Sequence, residues 1–407
     1  MIIDEQKAWG SDEHATSWLQ KLNDVKLHAE MNEAVFKDTT GDEGWVMEFG
    51  IGLIQILALQ LLAGLWVYFV IRKIRTSRAF RVVLTMTGLA CIANVTSRVF
   101  DPERHFIAAM ISCYALGFFA PLQALKLLDQ QKVIDEDGKM AEKAGLRLIL
   151  ASVAFPAARP SRHHRAASIS SLVSVGSILF ASTYALTLYY PTIVGTKNIV
   201  ITNLWCCILL FVGVGGVNCL TTAMFGIVAG EEYEVSWPFG CPLLTKSVGA
   251  FWSVHWNVSV HQALYRGVFL PLIRSNGKMD AEMLRRRKAA ATMACFLVSG
   301  VAHEIVLLYV NIKVGESRGE WMLMFLLNGI VTVAEARYRK QLKKVPQIVR
   351  ALIAQTFLVV SASTFFYPLA FRLGLLDRAY DNVAKSVAYL WRIPPLPLQG
   401  VSALESI

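Results

Sequence analysis

Long apolar runs recur along this chain, and they restrict its fold more than any other feature. Phe49–Ile71 is 23 residues without a charge, about 34 Å as a helix at ~1.5 Å per residue, enough to cross a bilayer with modest tilt. Comparable runs follow at Val82–Val95, Phe106–Leu125, Ile169–Tyr190, Ile199–Ala229, Ala289–Val310, Trp321–Ala334 and Ile348–Leu373. Inside lipid every backbone polar group must be bonded within its own segment, which a helix achieves. The expected fold is therefore an all-α polytopic membrane protein, a bundle of about eight transmembrane helices. Composition agrees: 55% hydrophobic against 17% charged residues and a mean hydropathy of +0.45 leave too little charge for an ordinary water-facing surface.

Within the spans, Pro121 is expected to bend the third run near its end. Gly213, Gly215 and Gly216 should let the fifth approach a neighbouring helix closely. Outside them, residues 1–47 hold ten acidic and four basic side chains and read as a non-membrane arm. Residues 48–373 form the membrane domain, and residues 374–407 a C-terminal tail. No cleavable leader is visible ahead of Phe49, so the first span is expected to act as the insertion signal. The apolar piece Gly145–Phe155 is too short to cross. Beside the basic cluster Arg159–Arg165, it is expected to lie in the headgroup plane.

The formal charge of +10 raises nucleic-acid binding as one reading. No basic stripe interleaved with aromatic residues supports it, and no nucleic-acid partner is expected. Basic residues instead mark the cytoplasmic face, with five Lys/Arg in residues 72–81 straight after the first span. If the polar stretch 248–273 does not cross, about 26 Lys/Arg fall on the cytoplasmic side and about 12 outside. That distribution favours eight spans, an outside amino terminus, and a re-entrant or interfacial polar block lining a cavity within the protein. The seven cysteines show no CxxC spacing and read as packing residues; no metal site is expected.

Two stretches carry residues that apolar packing does not need. His303 and Glu304 interrupt the apolar run Ala289–Val310, and His303 lies roughly 21 Å from the start of that run. An ionisable residue at such depth is costly and is by default a functional candidate, although a histidine bonded to a neighbouring helix for packing is an equal alternative. Desolvation there favours the neutral imidazole, which can serve as a general base. Leu307 occupies the second histidine position of an HExxH zinc motif and excludes it. Glu304 points about 100° away round the helix, whereas Ser299, four residues back, shares the His303 face. Ser299 is a candidate hydrogen-bond partner, and a serine–histidine nucleophilic pair would lack its third member.

The polar stretch contains Phe251, Trp252, His255, Trp256, Asn257 and His261. An amide at Asn257 can donate to a carbonyl oxygen or orient another side chain. Asn257-Val258-Ser259 also forms a glycosylation sequon, of no consequence on the cytoplasmic side, and the aromatic residues equally suit an interfacial belt.

WPFGCP (Trp237–Pro242), FWSVHWN (Phe251–Asn257) and SGVAHE (Ser299–Glu304) together resemble the membrane-bound O-acyltransferase superfamily, most closely its wax synthase-like branch. The resemblance covers the last 170 or so residues, with its motif core in 237–310. It implies acyl transfer from an acyl-CoA to a hydroxyl group, with His303 and Asn257 as the catalytic pair. Phe251, Trp252, Trp256, His261, Ser299 and Glu304 are then candidates to line the substrate site. No permanently bound cofactor is implied; acetyl-CoA or another acyl-CoA is the co-substrate, and a hydrophobic alcohol entering from the bilayer is the acceptor. Lys278, Arg285, Arg286 and Arg287, on the expected cytoplasmic face, are candidates to receive the CoA nucleotide.

The branch includes fungal natural-product acetyltransferases acting on terpenoid alcohols, and small Ala302 inclines the expectation towards acetyl. Long-chain transfer to a wax or sterol alcohol is the alternative. The resemblance also implies residence in the endoplasmic reticulum membrane. A transporter relaying protons through the buried histidine is the rival of another class, but this chain shows one irregular block rather than the paired broken helices of two related halves.

Overall fold

The computed structural model describes residues 43–125 (residue 75 apart), 127–128, 146–155, 157, 160, 165–230, 233–242, 245–274, 280–309 and 317–391. The chain divides into two compact units, Met1–Ile51 and Gly52–Ile407. Of the first unit only the start of helix α1 (Glu43–Lys73) is described, so most of the expected arm lies outside the described residues, as do the loop 126–145 apart from Leu127 and Leu128, the positions 162–164, and Lys278.

Among the described residues the second unit is all-α, with one isolated β-bridge between Ala166 and Ser236. After α1 come α2 (Arg78–Thr96), α3 (Phe106–Leu125), α4 (Leu146–Ala154), α5 (Ile169–Leu188) and α6 (Ile199–Ala229). Past the polar stretch, which contains α7 (Val258–Leu264), follow α8 (Ala281–Tyr309), α9 (Glu320–Arg337), α10 (Gln347–Arg372) and α11 (Leu375–Trp391). Seven of these, α1, α2, α3, α5, α6, α8 and α10, contain segments long and apolar enough to cross a bilayer, as a polytopic membrane protein requires. The eighth expected span is α9, an 18-residue helix carrying Glu320, Glu335 and Arg337 at its ends.

Local sequence explains the irregular turns. Three π-helical turns, Tyr114–Phe119, Tyr265–Phe269 and Ala362–Phe366, each end two residues before a proline: Pro121, Pro271 and Pro368. A proline inside a helix has no N–H and its ring crowds the carbonyl four residues back. Widening the preceding turn relieves both problems, so the bend expected at Pro121 is realised one turn earlier.

Small residues set the helix spacing. A Cβ on Gly216 of α6 would lie 2.9 Å from the Phe180 backbone nitrogen of α5, so the two helices can pack this closely only with glycine there. Helix α4, expected to lie against the headgroups, is instead enclosed by other helices. Ile149 and Val153 pack with Ala63, Leu89 and Leu116 of α1, α2 and α3, while Leu148 and Ala151 pack with Leu172 and Ala223 of α5 and α6. Both faces of α4 are apolar, so it is buried as a wedge rather than floated. Its Arg147 donates to the carbonyls of Val228 and Ile227 (3.1 Å for the latter), closing the C-terminus of α6 with a cation.

The first part of the expected tail is α11, which packs back onto the spans. The Tyr190 hydroxyl donates to Asp377 (2.7 Å), Asn382 donates to the Arg104 carbonyl (2.5 Å), and Leu375 and Val383 are buried. The polar stretch is a string of short helices, and its longest continuous helical run, 258–273, is shorter than the ~20 residues a crossing needs.

Candidate active site

His303 is placed by α8 beside α3 and α9. Its ring lies 4.4 Å from Phe325, 6.1 Å from Trp321 and 6.1 Å from Phe118, centroid to centroid. Gly300, one turn earlier, brings α9 close: a Cβ there would sit 2.9 Å from the Met322 Cα. The imidazole is half-buried. Its Nδ1 lies 2.7 Å from the Ser299 backbone carbonyl, which can only accept, so Nδ1 carries a hydrogen and, in the neutral ring, Nε2 holds the lone pair. Ser299 therefore meets the histidine through its main chain, not through the hydroxyl that a nucleophilic pair would need.

Glu304 turns to a different neighbour. Its carboxylate accepts from the Ser317 hydroxyl (2.5 Å) and from the Met322 backbone N–H (3.1 Å). That capping of the α9 N-terminus ties α8 to α9 one residue from His303. The position next to histidine thus fixes the helix pair that frames the ring.

Asn257 follows Trp256, which ends the π-helical turn Phe251–His255, and caps the start of α7. Its backbone is left-handed (φ 39°, ψ 65°), a region asparagine tolerates better than most residues. The side-chain oxygen accepts from Val260 N–H (3.3 Å), capping α7, and the side-chain nitrogen donates to the Tyr114 hydroxyl of α3 (3.3 Å). At 8% exposure, with both ends of its amide engaged, it is not presented as a sequon. Tyr114 and Phe118 share one face of α3, rings 5.3 Å apart, so α3 forms a wall with Asn257 against one ring and His303 against the other. Phe118 and Tyr114 pack with Val260 and Leu264 of the polar stretch and Val298 and Ala302 of α8.

The aromatic residues of the block divide into two groups. Phe251 stacks on Trp256 (5.5 Å, 15°), which meets Phe239 edge-on (5.3 Å) and lies near Phe211. Trp252 points the other way, against Phe296 and Phe325, and donates its indole N–H to Asn328 (2.9 Å). Because Phe325 also touches His303, Trp252 lies one ring from the imidazole. The WPFGCP segment is strapped to this block by two backbone bonds, Gly240 N–H to His255 (3.0 Å) and Val258 N–H to Pro238 (2.8 Å). His261 lies further along α7, stacked on Tyr265.

Of the basic candidates, Arg285 and Arg286 both pair with Glu282 on exposed α8, and Arg287 donates to the Arg274 carbonyl (3.4 Å). Among the described residues, no direct contact joins these three arginines to His303.

Three side chains that the sequence did not single out complete the site. Tyr114 was legible as the one phenol in the third apolar run. Asn328 is 1% exposed and also bonds Met324 and Ser361, joining the block to α9 and α10. Glu335 accepts from the N–H groups of Val248 and Gly249 (2.8 Å each), holding the start of the polar stretch on α9. Among the described residues, no group of His, Cys, Asp and Glu could hold a metal ion.

Residues 237–327 match the sequence model of the Membrane bound O-acyl transferase family. The chain is 26% identical over 175 residues to acyl-CoA–sterol O-acyltransferase 1 of Arabidopsis thaliana, covering 42% of this chain and 49% of that one. It is 33% identical over 156 residues to a protein of the same plant described as probable long-chain-alcohol O-fatty-acyltransferase 3 (37% and 44%). With number 2 of that series it is 33% identical over 178 residues (43% and 47%). The chain thus matches slightly less than half the length of these relatives.

Proposed function

We propose that this protein is a membrane O-acyltransferase that moves an acyl group from an acyl-CoA to the hydroxyl of a hydrophobic alcohol, with His303 as general base. The observation that carries this reading is the Nδ1 contact to the Ser299 carbonyl, which in the neutral, half-buried ring makes Nε2 the basic nitrogen. An alcohol is a weak nucleophile, and a base on its hydroxyl accelerates attack by about a hundredfold or more. The thioester is already activated and needs orientation and polarisation of its carbonyl, which the Asn257–Tyr114 pair on the adjoining wall would supply. The proton taken by Nε2 then passes to the departing CoA sulfur.

The CoA nucleotide would approach from the side of Arg285, Arg286, Arg287 and Lys278, and the acceptor from the bilayer. Residence in the endoplasmic reticulum membrane belongs to the same reading. The relatives are named for long-chain and sterol acyl transfer, which favours a fatty acyl donor. An acetyl donor, with a terpenoid alcohol as acceptor, rested on Ala302, and that residue packs with Phe118 and Leu122.

Membranes bearing the full chain, incubated with labelled acetyl-, octanoyl- or palmitoyl-CoA and a long-chain, a sterol or a terpenoid alcohol, test the reaction. Labelled ester above that of membranes without the protein is the expected result. Its absence with every donor and acceptor contradicts the proposal, and the donor that works best assigns the acyl length.

A further inference from the structure

We propose that Tyr114, rather than the Asn257 amide, gives the hydrogen bond that stabilises the negative charge developing on the thioester carbonyl, and that Asn257 is the positioning residue that aims it. This rests on the acyl-transfer reading above and names a further residue for that reaction.

The argument begins with the orientation of one amide. The Val260 backbone N–H can only donate, so the group facing it at 3.3 Å must be the Asn257 oxygen. The other end of the amide, its NH2, then faces Tyr114 at 3.3 Å, and the tyrosine oxygen must be the acceptor. A phenol that accepts still has its own hydrogen to give. Among the described residues, no hydrogen bond takes up that hydrogen.

The backbone fixes this arrangement from both sides. Asn257 is held by its left-handed conformation and by capping α7, so its side chain cannot swing to meet a substrate without uncapping the helix. Tyr114 opens the π-helical turn of α3 set by Pro121, and Phe118, on the same face, leads to His303. The donor is thus the phenol, whose own hydrogen is not taken up, while the amide is fixed in place by giving one N–H to the phenol oxygen and capping α7 with its oxygen.

The step balances without further reagents. The alcohol oxygen attacks the thioester carbon as Nε2 of His303 takes its proton. The carbonyl π electrons move onto oxygen, which accepts the Tyr114 hydrogen bond while tyrosine keeps its proton. Re-formation of the carbonyl breaks the carbon–sulfur bond, and the thiolate leaves with the proton from the imidazolium. Asn257 donates to the phenol oxygen throughout, which polarises the O–H and strengthens what it gives.

The test uses the full chain in membranes with the best donor and acceptor found above. Tyr114→Phe keeps the ring and its contacts, and is expected to lower kcat by about a hundredfold with KM for acyl-CoA changed less than about threefold, as for loss of one oxyanion donor. Asn257→Ala should lose activity too. The double variant should be no worse than Tyr114→Phe, because the amide acts through the phenol. Size-exclusion profiles in detergent identify any variant that has not folded; should Tyr114→Phe be one, Tyr114→Leu, which also lacks a donor, takes its place with the same loss expected. Unchanged kcat in Tyr114→Phe, a loss confined to KM, or losses that multiply in the double variant would each overturn the assignment. An inactive wild-type chain is a different result and counts against the acyl-transfer reading itself.

Discussion

Glu335 offers a quantitative test of how the polar stretch is held. Its two carboxylate oxygens accept from the adjacent N–H groups of Val248 and Gly249 at 2.8 Å each, where Ser247 also caps Ala250. Hydrogen bonds to a charged acceptor contribute about 1.5–3 kcal/mol each, giving a gross value near 3–6 kcal/mol for the pair. The site is half-buried, so water can replace part of the loss in Glu335→Ala. A net cost of about 2–4 kcal/mol is expected, confined to the start of the stretch. At roughly 1.4 kcal/mol per decade, amide exchange at Val248 and Gly249 should accelerate by about 30- to 1,000-fold. Hydrogen exchange with mass spectrometry on the detergent-solubilised protein reads this on peptides covering 245–257. Protection in α5 and α6, which do not touch Glu335, should stay unchanged. Equal protection of the 245–257 peptides in wild type and variant would show that the carboxylate does not hold the stretch.

The α8–α9 seam gives two further expectations. Gly300→Ala places a Cβ against the Met322 backbone, which cannot rotate away, so the helices must separate. A stability loss of about 1–3 kcal/mol is expected as a lower thermal midpoint in detergent, and an unchanged midpoint would contradict the close approach. Glu304→Gln keeps an acceptor for the Met322 N–H only by turning its NH2 to Ser317, whose hydroxyl must then accept instead of donate, and the charge at the α9 N-terminus is lost. It is expected to cost about 1–2 kcal/mol and to depress kcat more than KM by loosening the frame of His303. Kinetics equal to wild type would separate this cap from the imidazole.

The sequence made the spans legible because hydrocarbon imposes a length, and the three motif segments legible because polar residues in apolar runs are rare. It did not reveal the role of Tyr114, whose partner Asn257 lies 143 positions away and meets it only after α3 and the polar stretch pack. Pro121 announced a bend, but whether that bend becomes a kink or a π turn depends on neighbouring helices. The burial of α4 was misread since Gly145–Phe155 is apolar on both sides, and an apolar run cannot say whether protein or lipid covers it. Ser299 shares the His303 face as the helical period requires, yet the carbonyl rather than the hydroxyl makes the contact, a choice set by side-chain geometry. Glu304 and Glu335 each cap the start of another segment, long-range pairings that leave no local signature.

The central claim is that Nε2 of His303 removes the proton of the acceptor alcohol. The most direct measurement compares labelled ester formed by wild type, His303→Ala and His303→Gln at matched amounts of folded protein in membranes. The account predicts ester from wild type and a loss of at least about a hundredfold in kcat for both variants, since neither alanine nor glutamine can take the proton. Ester formed by either variant at the wild-type rate would contradict it.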